Sequence, residues 1–150
     1  MREFTFNRDT KETKISIKIN LDGSGVNKID TGIAFFDHML QQISTHSLVD
    51  LEIKCDGDLK VDMHHTVEDV GIALGESIKN ALGDKKGITR FGYSYVSFDE
   101  TLTRSVIDLC NRPYFIWNVK TSLEKVGEMD QELFSEFFKS IVTESRMNCH

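Results

Sequence analysis

The chain is 150 residues long, 39% hydrophobic and 28% charged, with a formal net charge of -6. That is the composition of one globular domain, residues 1–150, with a core of its own. Its basic residues are scattered, which argues against nucleic acid as a partner; no apolar run reaches membrane-spanning length, and Met1-Arg2-Glu3-Phe4 opens no signal peptide.

Arg2 to Arg8 and Lys14 to Asn20 read as strands, the second because Ile15, Ile17 and Ile19 alternate with polar residues. Leu21-Asp22-Gly23-Ser24-Gly25 is a turn. From Asp30 the spacing of Ile33, Phe36, Leu40 and Ile43 predicts a helix, with Thr31 as its cap. Val49, Leu51, Ile53 and Cys55 alternate as a further strand. Asp56-Gly57-Asp58 turns the chain, and a short strand delivers it to His64. A second helix runs from about Thr66 to Leu82 and stops at Gly83. The order then repeats, with strands at Ser94 to Phe98, Leu102 to Leu109 and Tyr114 to Lys120. A helix follows from about Asp130 to Glu144, and a strand begins near Met147. Laying Phe35-Phe36-Asp37-His38-Met39-Leu40 over Leu133-Phe134-Ser135-Glu136-Phe137-Phe138 puts apolar positions in register and brings Ile43 onto Ile141. This fits an internal duplication, with a first repeat at about 1–88 and a partial second at about 89–150. The second copy stops at His150, before any counterpart of the histidine-bearing helix.

The densest chemistry lies in Asp62-Met63-His64-His65-Thr66-Val67-Glu68-Asp69. With Thr66 and Asp69 as a capping pair, the two histidines sit at the mouth of the second helix and Glu68 in its first turn. Imidazole nitrogen and carboxylate oxygen together form a donor set suited to a divalent transition metal. Adjacent residues point in different directions, so the spacing suits two metals, or one metal and one other role. The plain alternative is a solvated helix start, with carboxylates at the positive end of the dipole.

Other residues are weaker taken singly. His38 lies on the first helix with Gln42 one turn later on the same face; among Phe36, Met39 and Leu40 it reads more readily as a core or interface residue than as a ligand. Glu12, in Thr10-Lys11-Glu12-Thr13, reads as a surface carboxylate. Arg90 and Arg112 stand at turns, where a guanidinium can fork onto phosphate. Asp99-Glu100 is a paired carboxylate, and His46 reads as structural. Cys55, Cys110 and Cys149 are odd in number and lack Cys-x-x-Cys spacing, so they read as free thiols in a reducing cytoplasm.

Taken together, Phe35-Phe36-Asp37-His38-Met39-Leu40, the His64-His65 motif and Gly87-Ile88-Thr89-Arg90-Phe91-Gly92 occur in order, after Thr10-Lys11-Glu12-Thr13 and Leu21-Asp22-Gly23-Ser24-Gly25. In this the chain closely resembles the imidazoleglycerol-phosphate dehydratases of histidine biosynthesis, from about Arg8 to His150. The resemblance implies an α+β fold of two similar halves, each a β-sheet covered on one face by helices, the second half incomplete. It implies cytoplasmic cages of twenty-four subunits, with active sites between neighbours that each hold two Mn2+ ions. Position by position it implies His38, His64, His65, Glu68 and His150 as metal ligands and Glu12 as a catalytic glutamate. Arg90 and Arg112 become substrate contacts, and Gln42, on the face of His38, is counted with them.

The implied reaction removes water from imidazole glycerol phosphate and leaves a ketone, imidazole acetol phosphate. No carbonyl adjoins the carbon that loses its proton, so only the imidazole ring can take up the electrons. Metals on both ring nitrogens would stabilise that charge. Carboxylates would then move protons while arginines hold the phosphate. Three departures from the family pattern stand out. Cys110-Asn111-Arg112-Pro113-Tyr114 replaces the usual Ser-Gly-Arg-Pro-Tyr, and Ser97-Phe98-Asp99-Glu100 lacks the usual proline. A second Asn-x-His-His-x-x-Glu motif, which completes both metal shells in the family, is expected beyond His150. The chain is therefore expected to be a C-terminally truncated lyase. The alternatives are a non-catalytic metal-binding remnant and a metallohydrolase using the same ligands.

Overall fold

The computed structural model describes all of residues 1–150. Two four-stranded sheets and three helices make an α+β architecture. The first sheet is built from β1 (Glu3–Asp9), β2 (Thr13–Asn20), β3 (Asn27–Asp30) and β4 (Asp50–Gly57), in spatial order β1-β2-β4-β3. Helix α1 (Ala34–Ser47) joins β3 to β4, and α2 (His64–Leu82) follows β4. The second sheet comprises β5 (Phe91–Phe98), β6 (Thr101–Asp108), β7 (Tyr114–Phe115) and β10 (Asn148–Cys149), in order β5-β6-β10-β7. Before β10 come a small hairpin, β8 (Lys125–Val126) with β9 (Met129–Asp130), and α3 (Glu132–Ser145).

The two sheets share one topology. β1/β2 and β2/β4 are antiparallel and β3/β4 parallel; likewise β5/β6 and β6/β10 are antiparallel and β7/β10 parallel. Helices α1 and α3 occupy equivalent connections. They also meet each other: the Phe36 and Phe137 rings pack edge to face at 5.0 Å, and those of Phe35 and Phe134 at 6.1 Å. After β4 the first half continues into α2, whereas β10 is the last element of these residues.

Alternation explains the first sheet. Ile15, Ile17, Ile19, Leu51, Ile53 and Cys55 all point inward and are buried, while Lys14, Ser16, Lys18, Glu52 and Lys54 face out. Covering that inner face are Val67, Val70, Ala73 and Leu74 of α2 and Phe36 and Leu40 of α1. Each fully buried aliphatic side chain contributes about 1.5–3 kcal/mol. α2 packs against α3 through Gly71 and Gly75, where a Cβ would lie 2.8 Å from the Phe137 carbonyl oxygen and 2.7 Å from that of Ile141. Two glycines one turn apart thus let the helix backbones touch.

The second sheet is dressed differently. Neither face of β5 is covered, and β6 is covered only toward its end. The register puts Phe91, Tyr93, Tyr95, Leu102 and Val106 on one face, and all are exposed, Tyr93 by 79%. On the other face Val96 and Phe98 are exposed as well, Phe98 by 79%. No helix stands over β5 and β6 as α2 stands over β1 and β2.

Several elements differ from their sequence-based expectations. The first helix begins at Ala34 instead of Asp30, because Asn27–Asp30 pairs with β4 as a strand. Thr31 is no cap: its N–H and hydroxyl both donate to Asp37 Oδ1, at 2.9 and 2.6 Å. The expected strand before His64 is a turn, closed by the Val61 N–H donating to the Asp58 carbonyl at 2.8 Å. The expected strand Tyr114 to Lys120 is limited to Tyr114–Phe115, and the β8–β9 hairpin, which turns at Gly127 with φ of 61°, was not among the expected elements.

Candidate metal and substrate site

Helix α2 starts at His64, two residues earlier than expected, and Thr66 with Asp69 does not form a capping pair. The first free N–H of the helix, that of His64, donates instead to Asp62 Oδ1 at 2.8 Å. Asp69 turns inward, where Thr13 Oγ1 donates to it at 2.5 Å and Arg8 Nη2 at 2.9 Å. Thr66 is buried in the gap left by Gly57, at which a Cβ would lie 2.0 Å from Thr66 Oγ1. The missing side chain at the end of β4 therefore lets the mouth of α2 sit down on the sheet, and that seating delivers both histidines to one place.

There His64 Nδ1 and Glu68 Oε2 stand 3.9 Å apart, both half-exposed. Neither side chain is committed to another hydrogen bond within the chain. The His64 and His65 rings are 6.0 Å apart and inclined by 73°, so the two imidazoles address different directions. His65 Nδ1 lies 2.9 Å from Asp58 Oδ2. That bond to Asp58 raises the His65 pKa, and the charges of Asp58, Glu12 and Asp62 add to the rise. Glu12 thus belongs to the same electrostatic neighbourhood, and its backbone carbonyl accepts the Asp58 N–H at 3.0 Å.

His64, His65, Glu68 and Glu12 are brought together; the other candidates are not. His38 is exposed on α1 and hydrogen-bonds to nothing in the chain, so it is not the core residue its apolar neighbours allow. Gln42 is occupied by His46, whose Nε2 lies 3.2 Å from Gln42 Oε1. His150 pairs through its backbone with Val106, donor and acceptor both at 2.9 Å, and its side chain is exposed. No group of three or more His, Cys, Asp or Glu side chains converges within the chain on a point that could hold a metal ion.

The arginines form a separate neighbourhood at the edge of the second sheet. Arg90 forks onto Asp108, with Nε at 2.5 Å and Nη2 at 2.9 Å, and its guanidinium lies 4.8 Å from the centre of the Phe91 ring. The fork raises the Arg90 pKa and lowers that of Asp108. Arg112 is exposed on the turn that follows. The same turn is held from outside: Lys85 Nζ donates to Asn111 Oδ1 at 2.8 Å, and Arg146 donates twice to the Asn111 carbonyl, at 3.2 and 3.4 Å. Asn111 takes φ of 60°, a left-handed value that asparagine tolerates better than most residues. Asp58, Lys85, Asp108 and Arg146 were not among the expected site residues. They reach it through turn geometry and cross-strand pairing, neither of which leaves a local spacing to read.

Comparison with known proteins gives these arrangements a context. Residues 31–150 match the sequence model of the family described as imidazoleglycerol-phosphate dehydratase. The imidazoleglycerol-phosphate dehydratase of Neisseria gonorrhoeae is 52% identical over 149 residues, covering 99% of this chain and 49% of that protein. The enzyme of the same name from Sinorhizobium fredii is 51% identical, covering 95% of this chain and 71% of its own. A crystal structure of the Staphylococcus aureus dehydratase superposes with a TM-score of 0.88 at 37% identity, covering 99% of this chain and 81% of that one. The chain spans about half the length of the Neisseria relatives.

Proposed function

The chain belongs to the imidazoleglycerol-phosphate dehydratase family, and from that premise we propose that the protein is a metal-dependent hydro-lyase of histidine biosynthesis. It acts in the cytoplasm, dehydrates imidazole glycerol phosphate to imidazole acetol phosphate, and uses Mn2+. The observation that carries the reading is the mouth of α2, where His64 and Glu68 face each other at 3.9 Å with His65 beside them. Neutral imidazole and carboxylate fit a divalent transition ion, and both donors of the 3.9 Å pair are uncommitted. Within one chain no third donor joins them. We read His64 and Glu68 as part of one shell, and His65, His38 and His150 as ligands completed by neighbouring copies in a dinuclear site. The two repeats, residues 1–88 and 89–150, form one domain in this reading.

Bound Mn2+ would supply positive charge against which the substrate imidazole ring gives up a proton and holds electron density. The protein's own groups do the rest. We assign the transfer of the proton from carbon to Glu12, whose charge acts on His65. Arg112, exposed and without a carboxylate partner, takes the phosphate; Arg90 must share itself with Asp108 to join it. Gln42 is freed for substrate by letting go of His46. The uncovered aromatic face of β5 and β6 supports assembly into a large homo-oligomer, since a soluble protein rarely leaves such a face bare.

The test is to incubate the purified protein with Mn2+ and imidazole glycerol phosphate and to follow the ketone and free phosphate separately. Ketone without phosphate release is expected; phosphate release would select hydrolysis instead. The absence of a third donor within the chain favours one second reading, a metal-binding protein without turnover. Mn2+ binding with no ketone would select it. His65→Ala is expected to weaken Mn2+ binding about 10–100-fold by calorimetry; unchanged affinity and stoichiometry would remove His65 from the ligand set.

A further inference from the structure

We propose that Asp58 is a positioning residue that fixes His65 as its Nδ1–H tautomer, leaving Nε2 as the only lone-pair donor of that ring. This deepens the metal-site reading and rests on it for its functional meaning, though not for its geometry. His65 Nδ1 lies 2.9 Å from Asp58 Oδ2. An ionised carboxylate can only accept, so the proton between them belongs to Nδ1. Asp58 is itself anchored on both sides of its backbone: its N–H donates to the Glu12 carbonyl at 3.0 Å, and its carbonyl accepts the Val61 N–H at 2.8 Å. Its second oxygen, Oδ1, is buried without any partner. An unpaired buried acceptor is costly, and nothing in the turn relieves it. The carboxylate is held in this setting with its other oxygen spent on one ring nitrogen.

Two consequences follow. Glu12, in the turn between β1 and β2, and His65, on α2, are both tied to Asp58, so their relative position is set by that residue. Free histidine favours the opposite tautomer, in which Nε2 carries the proton and cannot ligate. The contact with Asp58 therefore prepares His65 before any ion arrives.

The tautomer is read directly by nitrogen NMR of the metal-free protein, labelled at histidine, at a pH where the ring is neutral. The His65 signals are assigned by their loss in His65→Gln. In the unmodified protein Nδ1 is expected to carry the proton. In Asp58→Ala the ring should shift toward the Nε2–H form, and Mn2+ affinity should fall about 10–100-fold. In Asp58→Asn the side-chain carbonyl can still accept from Nδ1, so tautomer and affinity should both lie closer to the unmodified protein. An Nε2–H ring in the unmodified protein overturns the proposal, as does an unchanged tautomer in Asp58→Ala. If the tautomers behave as expected and Mn2+ does not bind, the metal reading fails while the role of Asp58 in fixing the ring stands. If Mn2+ binds equally to all three proteins, the metal reading stands and the positioning role falls.

Discussion

Asp69 shows how one side chain can be claimed by the core and lost to the surface pattern. Spaced three after Thr66, it matches a helix-capping signature, yet it is buried and bonded to Thr13 and Arg8 across α2, β1 and β2. Asp69→Ala would leave Arg8 and the Thr13 hydroxyl without their acceptor. Urea unfolding is expected to show a loss of about 3 kcal/mol. The exposed acids behave otherwise. Arg2 lowers the pKa of Asp22, the Ser24 and Val26 N–H groups that of Asp50, and Arg90 that of Asp108. Each folded pKa lies below its unfolded value, so the folded state binds fewer protons than the unfolded chain. That stability is complete above the ordinary carboxylate pKa and is lost as pH falls through the lowered values. Denaturant midpoints should therefore fall as pH drops below about 4; a midpoint that rises over that acid range would contradict the assignment.

Among the elements, α2 does the most: its mouth carries the candidate site, its middle covers the first sheet, and its glycine edge meets α3. Gly75→Ala would set a methyl group 2.7 Å from the Ile141 carbonyl oxygen and 2.8 Å from Glu144 Cβ. Backbone cannot give way as a flexible side chain can. The expected cost is about 1–3 kcal/mol in thermal or denaturant unfolding, with α-helix content unchanged. The body of α2 and its end at Gly83 were legible in the sequence, as were β2 and β4, because one buried face imposes a period on each. The start of α2 was not. Its first N–H is met by Asp62, which lies outside the periodic stretch, and the more obvious Thr66 packs against Gly57 with its hydroxyl unpaired. β3 was hidden for a related reason: its four residues are a strand because β4 pairs with them, not through any strong pattern of their own. Of the candidate site, the sequence marked His64, His65, Glu68 and Glu12, which the fold brings near one another. It could not mark Asp58, whose partnership with His65 arises from a turn that carries no repeating signal.

At the scale of the whole molecule the two sheets agree in strand order and differ in cover. The first buries its aliphatic face under α1 and α2; the second shows Phe91, Tyr93, Tyr95, Leu102 and Val106 to solvent. If that face is where copies meet, Tyr93→Asp paired with Tyr95→Asp should lower the particle mass in light scattering while leaving circular dichroism unchanged. An unchanged mass would place the contact elsewhere. The strand order has a consequence for synthesis as well. All strands of the first sheet lie within Glu3–Gly57, so it can close while the rest of the chain is still being made. The second sheet cannot, because β10 sits between β6 and β7 in space yet comes last in sequence. Until Asn148–Cys149 emerges, β5 and β6 are a two-stranded ribbon, which is marginal in water on its own. The risk of aggregation is thus concentrated in one interval of translation, and it falls on the half that carries the bare aromatic side chains.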